Sequence, residues 1–177
     1  MGEVTIVGLA EIKYTQAEDD VLLALGVGAC IVVCAFDPRT GRAGMAQVVL
    51  PESYDEQSLP AKYVDLAIPS LVRGLIGPDN DPGQVRVALI GGAELSAFHG
   101  HGIRVEIGRR NVDAARTALE QLKIRSCAED CGGNAARTVQ FAGDGKIRIK
   151  VIGKPEQEGI NLNLPAMNDR QREYAAV

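Results

Sequence analysis

Short runs of β-branched and other apolar residues, separated by glycine-containing turns, dominate this chain of 177 residues. The runs lie at residues 4–9, 21–27, 30–36, 45–50, 85–90, 103–107, 124–127, 138–141 and 147–152. Apolar runs of this length between turn residues are typical of strands. Only residues 60–76 and 111–122 have the spacing of an amphipathic helix, and a third, short helix is expected over residues 93–98. Strands that outnumber helices in this way predict an α+β fold built from layers.

Turn and capping residues add local expectations. Asp-Pro-Arg-Thr-Gly at residues 37–41 and Ala-Gly-Asp-Gly at residues 142–145 each predict a tight turn between two strands. Pro69 lies inside the first helical pattern and should kink or split that helix. Asn111 has a side chain suited to the N-cap of the second helix.

Length, charge and hydropathy limit the class of protein. Residues 1–153 are predicted to form one domain, and residues 154–177, which are polar and lack periodicity, to form a flexible tail. A net charge of −4 argues against nucleic-acid binding. No apolar run approaches the roughly 20 residues of a membrane span, and no signal-peptide pattern is visible. We therefore expect a cytoplasmic protein whose four cysteines are reduced.

The glycine and cysteine motifs exclude several kinds of site. The segment Gly-Val-Gly-Ala-Cys-Ile at residues 26–31 lacks the third glycine of a dinucleotide fingerprint, and no P-loop is present, so no cofactor is predicted. The cysteines fall as Cys30/Cys34 and Cys127/Cys131. Along a strand, Cys30 and Cys34 would lie about 13 Å apart, too far for one metal ion or a disulfide. No metal site is predicted, and Cys34 and Cys127 are interpreted as core residues.

Cys30 is the exception among the cysteines. It follows Gly28 and Ala29 at the junction between a glycine turn and a strand. Backbone N–H groups at such a junction could face a bound carbonyl group, and the thiol could be exposed and reactive. From the spacing alone, two interpretations remain open: a nucleophile or a core cysteine.

Several segments together resemble the CheD family of chemoreceptor glutamine deamidases. They are Leu25-Gly26-Val27-Gly28-Ala29-Cys30-Ile31-Val32-Val33-Cys34, Asp37-Pro38, Gly44-Met45-Ala46-Gln47-Val48-Val49-Leu50-Pro51, Lys62-Tyr63-Val64-Asp65-Leu66-Ala67-Ile68, Ile90-Gly91-Gly92-Ala93, Ile107-Gly108-Arg109-Arg110-Asn111-Val112 and Asp130-Cys131-Gly132-Gly133-Asn134-Ala135-Ala136-Arg137. They occur in family order and span about three quarters of the chain; each alone would be a weak signal.

The resemblance implies a fold, a reaction and partners. The fold would be a layered sandwich of packed mixed β-sheets with two or three helices on the outside. The reaction would be hydrolysis of glutamine side chains on the cytoplasmic helices of chemoreceptors, with Cys30 as the nucleophile, a thioester intermediate and release of ammonia. A phosphatase of the CheC type would be a second partner.

The sequence departs from this family at the general base. The family pattern Gly-Met-Ala-His reads here Gly-Met-Ala-Gln, so that Gln47 occupies the position of the catalytic His. Ala24 stands where the family can place the Thr that orients this His, and Ala29 where Ser is common. A glutamine amide cannot accept a proton at neutral pH. His99 and His101, in a glycine-flanked loop, are possible substitute bases, and solvated loop histidines are the alternative interpretation.

Three hypotheses remain. The chain is a protein-glutamine deamidase, with full or residual activity, or it is a non-catalytic CheD-like adaptor that binds chemoreceptors or a CheC-type phosphatase. The third hypothesis is that Gln47 is an introduced change that inactivates the enzyme; Ala24 and Ala29 weaken it, because such a design would not need them.

Overall fold

Eleven strands and two α-helices make up the part of the chain that is described here, which is residues 1–55, 57, 59–95, 106–167 and the backbone of 172–174 of a computed structural model. The strands are β1 Val4–Ile6, β2 Glu11–Thr15, β3 Val21–Val27, β4 Ile31–Asp37, β5 Arg42–Val48, β6 Arg86–Gly91, β7 Ser126–Cys131, β8 Arg137–Ala142, β9 Lys146–Val151, β10 Ile160–Asn163 and β11 Arg172–Tyr174. The helices are α1 Val64–Ile76 and α2 Ile107–Gln121.

The strands form two mixed sheets. One has six strands in the order β11-β7-β6-β4-β5-β2, and the other has five in the order β1-β3-β8-β9-β10. One core cluster joins the six-stranded sheet to the apolar faces of both helices, and a second joins the same sheet to the five-stranded one. The layers are therefore helices, six-stranded sheet and five-stranded sheet, which confirms the predicted α+β sandwich with helices on the outside.

Strand β4 lies at the centre of this arrangement and explains the longest apolar run in the sequence. All seven of its residues are buried. Ile31, Val33 and Ala35 pack towards the helices. Val32, Cys34 and Phe36 pack towards the five-stranded sheet. A strand covered on both faces carries no alternating polar residues.

The helices differ from the sequence predictions at their starts. Helix α2 begins at Ile107, so the strand predicted over 103–107 is wrong at its last residue, and 103–105 lie outside the described residues. A Cβ atom at Gly108 would come within 2.6 Å of the carbonyl oxygens of Gly92 and Ala93, so only glycine allows this close approach of helix and turn. Asn111 therefore lies inside the helix, and its prediction as an N-cap is wrong.

The helix predicted over residues 60–76 is interrupted before Pro69, between a short 3-10 turn and α1. Pro60–Lys62 forms a 3-10 turn and α1 begins at Val64, whereas Pro69 lies within α1 without splitting it. The third helix, expected over 93–98, is absent from residues 93–95, and the rest of that segment lies outside the described residues.

Both predicted turns are confirmed as hairpins. The turn between β4 and β5 has Gly41 at φ +71°, and its N–H donates to the Asp37 carbonyl at 2.9 Å. The Asp37 carboxylate also accepts hydrogen bonds from the Thr40 hydroxyl at 2.8 Å and the Arg39 N–H at 3.0 Å. The turn between β8 and β9 has Gly145 at φ +87°. Such left-handed backbone conformations favour glycine because it has no Cβ atom.

The structure differs most from the sequence predictions at the two edges of the fold. β2 pairs with β5, although the sequence analysis predicted no strand there. Instead of the expected flexible tail, Ile160–Asn163 pairs with β9, and Leu164 and Met167 are buried between the sheets. The Arg86 guanidinium donates to the Leu164 carbonyl at 3.2 Å. No helix in the described ranges is long and apolar enough to cross a membrane.

Candidate active site

Cys30 lies immediately before β4, at the end where β4 and β5 stop pairing. The last pair in their ladder is Ile31 with Val48. The Cys30 side chain is partly buried and packs against the core between the two sheets, on the same side as Val32 and Cys34. The thiol is thus at the rim of the core, where a side chain can be reached from outside while the backbone around it is held by the sheet.

Hydrogen bonds fix the backbone of three successive residues here. The carbonyl of Gly28 accepts from the N–H of Ala93 at 2.9 Å, and that of Cys30 accepts from the N–H of Gly92 at 2.8 Å. The carbonyl between them, of Ala29, accepts from Asn111 Nδ2 at 2.8 Å. Successive carbonyl groups that all accept hydrogen bonds hold a segment in one conformation.

A glycine turn makes this approach possible. Gly91 and Gly92 have φ angles of +117° and +64°. A Cβ atom at Gly91 would lie 2.4 Å from the Cys30 carbonyl oxygen, so a larger residue there would push the cysteine segment away. Gly91 and Gly92 are visible as a turn signal in the sequence, and the structure shows why the turn requires them.

Gln47 shares a face with Cys30. It lies on β5 directly opposite Val32, and paired residues in a sheet project to the same side. Cys30 precedes Val32 by two residues, so Gln47 is its diagonal neighbour, a relation that corresponds to about 7–8 Å between backbones. Gln47 is only 4% exposed. Its amide can donate and accept hydrogen bonds but cannot act as a general base.

Ala24 lies deeper in the same core. It is fully buried on β3 and pairs with Val139 of β8. A methyl group there packs against the apolar core and offers no hydrogen bond, so it cannot orient a base.

The pKa of the Cys30 thiol is raised above its ordinary value, and the main cause is burial, which disfavours the thiolate. A hydrogen bond from the backbone N–H of Cys30 itself offsets part of this effect. Within the described residues, no cationic side chain contributes to lowering this pKa. The thiol is therefore mostly protonated at neutral pH in the described environment.

The other cysteines lie in different surroundings. Cys34 is fully buried, which raises its pKa well above the ordinary value, and Cys127 is 6% exposed, so both are core residues as predicted. Burial, the first cause, and the nearby Glu129 carboxylate raise the pKa of Cys131 to about 12. All four cysteines are free thiols. No group of three or more metal-binding side chains occurs among the described residues.

The two histidines that were named as substitute bases, His99 and His101, fall outside the described residues. The described ends of that segment lie close to the site. The Leu95 side chain would come within 2.8 Å of a Cβ atom placed on Gly28. On the other side, the Glu94 carboxylate accepts from the N–H of Arg109 at 3.0 Å.

Two residues near the site were missed as positioning groups by the sequence analysis. Asn111 is fully buried in α2. Its Nδ2 donates hydrogen bonds to the carbonyl of Ala29 and, at 3.1 Å, to the carbonyl of Val49. Arg137, 7% exposed, binds the Asp130 carboxylate through Nε at 2.9 Å and the Gly132 carbonyl through Nη1 at 3.0 Å. The sequence offers a signal for each. Asn111 is a polar residue on the apolar face of a helix, and Arg137 is an arginine at the start of an apolar strand.

Fold and site together describe an α+β protein with a candidate active site centred on one accessible cysteine. A family model described as CheD chemotactic sensory transduction matches residues 49–151. The matched range begins after Cys30 and Gln47, so it bears on the fold around the site rather than on these two residues.

Curated relatives match a longer part of the chain. A probable chemoreceptor glutamine deamidase CheD of Symbiobacterium thermophilum is 33% identical over 156 residues, which is 86% of this chain and 94% of that protein. The corresponding protein of Moorella thermoacetica is 36% identical over 153 residues, 84% of this chain and 91% of that protein. The chemoreceptor glutamine deamidase CheD of Thermotoga maritima is 35% identical over 153 residues, 86% of this chain and 94% of that protein. This chain belongs to the CheD family.

Proposed function

We propose that this chain is a chemotaxis protein that hydrolyses glutamine side chains of chemoreceptors to glutamate, with Cys30 as the nucleophile. The observation that carries the proposal is the position of Cys30: a partly buried thiol on a backbone segment held by three carbonyl hydrogen bonds. The relatives named as chemoreceptor glutamine deamidases support the substrate. The protein acts in the cytoplasm, where it binds the cytoplasmic helices of the receptors.

The chemistry is acyl transfer in two steps. The Cys30 thiolate attacks the carboxamide carbon, a C–S bond forms, and the carbonyl oxygen becomes an oxyanion. We assign the backbone N–H of Cys30 as the donor to that oxyanion. The C–N bond then breaks and ammonia leaves with a proton. Water hydrolyses the thioester, which releases glutamate and restores the thiol.

The proton transfers need a group other than Gln47. We assign them to His99 or His101. Leu95 lies against Gly28, two residues before Cys30, and His99 follows Leu95 by four residues. Four residues of extended chain span at most roughly 14 Å, enough to bring an imidazole to the thiol. Without such a base, general acid–base assistance of about 10²–10⁴-fold would be lost.

A second function is favoured by two specific observations. Burial raises the pKa of Cys30, and Gln47, at the proposed position of the family base, carries an amide that cannot accept a proton at neutral pH; this arrangement suits a chain without catalysis. In that case the fold is retained as an adaptor that binds chemoreceptor helices or a CheC-type phosphatase.

A deamidation time course separates the two functions. The purified protein is incubated with a glutamine-bearing chemoreceptor fragment, and mass spectrometry detects each replacement of an amide nitrogen by oxygen. Cys30→Ala removes the proposed nucleophile, and Cys131→Ala is the matched control for loss of another partly buried thiol. Deamidation lost only in Cys30→Ala supports the enzyme. Binding without deamidation supports the adaptor.

Variants of the two histidines identify the base. If His99→Ala or His101→Ala slows deamidation by about 10²-fold or more, that imidazole carries the proton. If both variants and their combination keep the full rate, the assignment to this loop is wrong.

A further inference from the structure

The position of Asn111 poses a physical question. Its side chain is fully buried in α2, and its Oδ1 atom is buried without a hydrogen-bond partner among the described residues. A buried acceptor without a partner costs stability, typically about 1–3 kcal/mol. An apolar side chain of the same size would avoid that cost, so the value of asparagine here lies in its two Nδ2 donors.

These two donors reach the backbone on both sides of the gap where β4 and β5 separate. Nδ2 donates to the Ala29 carbonyl at 2.8 Å and to the Val49 carbonyl at 3.1 Å. The N–H of Val49 turns away from β4 and donates to the Lys62 carbonyl at 3.2 Å. The Asn111 amide thus bridges the two segments just beyond the last β4–β5 pair, where backbone hydrogen bonds would otherwise continue. It keeps these two segments apart next to Cys30.

The carbonyl of Ala29 and the N–H of Cys30 belong to one planar peptide unit and point in opposite directions. A hydrogen bond that fixes this carbonyl therefore also fixes the direction of that N–H. The neighbouring carbonyls of Gly28 and Cys30 are held by backbone donors, which a side-chain substitution would not remove. Of these three peptide units, only the one that supplies the Cys30 N–H is held by a side chain of the described residues.

We propose that Asn111 is a positioning residue that orients the Cys30 N–H towards the thiol and towards the oxyanion of the reaction. The proposal rests on the proposed function for its catalytic meaning. Its geometric part, the orientation of the N–H relative to the thiol, stands without it.

The test compares Asn111→Leu, which keeps the size and removes both donors, with Leu119→Ala. Leu119 is buried on the same helix and makes no contact of this kind with the cysteine segment, so its variant reproduces a loss of packing. Thermal unfolding shows how far each variant is destabilised. The rate of alkylation of Cys30, followed against pH, and the kcat and KM of deamidation are then measured for both.

We expect Asn111→Leu to shift the alkylation profile of Cys30 to higher pH and to lower its rate at pH 8 by at least threefold. We expect kcat to fall by about 10²–10³-fold, as for loss of an oxyanion donor, with KM unchanged. Leu119→Ala should leave both profiles within twofold of the unaltered protein. An unshifted Asn111→Leu profile, or an equal shift in Leu119→Ala, would overturn the proposal.

Two further measurements keep the outcome decisive. If the unaltered chain does not deamidate the receptor fragment, the proposed function fails while the alkylation profile still decides the role of Asn111. If Asn111→Leu does not fold, NMR on the unaltered protein decides instead. Side-chain amide protons of Asn111 that exchange slowly and couple to the carbonyl carbons of Ala29 and Val49 support the proposal, and rapid exchange without coupling refutes it.

Discussion

Placing a base at residue 47, the proposed position of the catalytic His, is the most direct perturbation of the site. Gln47 lies on the same sheet face as Cys30, diagonally across β4 and β5, and is 4% exposed. The substitution Gln47→His places an imidazole there. To separate its effect from that of the loop histidines, we would make it in the background His99→Ala, His101→Ala.

The expected magnitude has two parts. A thiol with an ordinary pKa of about 8.5 is a few per cent thiolate at pH 7, and the raised pKa of Cys30 puts it below that. An adjacent imidazolium brings thiol pKa values to about 3.5–7.5, and at the upper limit roughly a quarter of the thiol is ionised at pH 7. Each thiolate also becomes less nucleophilic, with a Brønsted coefficient of about 0.4–0.5, so alkylation gains only severalfold.

Deamidation should gain much more than alkylation. The imidazole would also protonate the leaving ammonia, and general acid–base assistance is worth about 10²–10⁴-fold. Alkylation of Cys30 by iodoacetamide needs no proton donor to a leaving amine. A large gain in deamidation beside a small gain in alkylation would therefore identify proton donation as the missing function at residue 47.

The assay follows both rates at pH 7 on the same preparations, with thermal unfolding as a check of the fold. Gln47→Asn is the matched control, because it keeps an amide and supplies no basic nitrogen. If Gln47→His folds normally and changes neither rate, residue 47 does not face Cys30 and the reasoning from strand register is refuted.

Three further predictions concern the site and the fold. In the background His99→Ala, His101→Ala, burial is the main influence on the pKa of Cys30 and raises it, so alkylation should keep rising about tenfold per pH unit past pH 8.5; a plateau near neutral pH in that background would contradict this. Leu164→Ala should lower the free energy of unfolding by about 2–5 kcal/mol in urea titrations, since Leu164 is fully buried, and a change below about 0.5 kcal/mol would place it outside the core. Arg137→Met should lower the free energy of unfolding by about 3–5 kcal/mol in the same titrations, because it leaves the buried Asp130 carboxylate unpaired. Arg148→Met removes an exposed ion pair and should lower it by less than about 1 kcal/mol. Equal losses in the two variants would refute the distinction between the buried and the exposed pair.

Much of the architecture follows from local sequence patterns. A strand such as Val21–Val27 is predicted with its exact bounds, because apolar residues between turn residues express the backbone preferences of the segment itself. The Asp37 and Gly145 turns follow from side-chain hydrogen bonds and positive φ angles that act over a few residues. The α+β class follows in turn from the number and order of these elements.

Edge elements needed the rest of the molecule. Ile160–Asn163 is a short segment in which two of the four residues are polar, and it becomes a strand only because β9 offers it an unpaired edge while Leu164 enters the core. The start of α2 depends in the same way on the turn at Gly92, against which Gly108 packs. Tertiary contacts of this kind override local propensity and leave little signal in a single sequence.

The candidate site shows the same division. The sequence alone shows that residue 30 is a cysteine, that it follows Gly28, and that residue 47 carries an amide. That Asn111 holds the peptide unit before Cys30 is not, because its two acceptors lie 82 and 62 residues away along the chain. A helix brings the amide there only after it has packed on the sheet, and hydrogen bonds between distant residues exist only once that packing has formed.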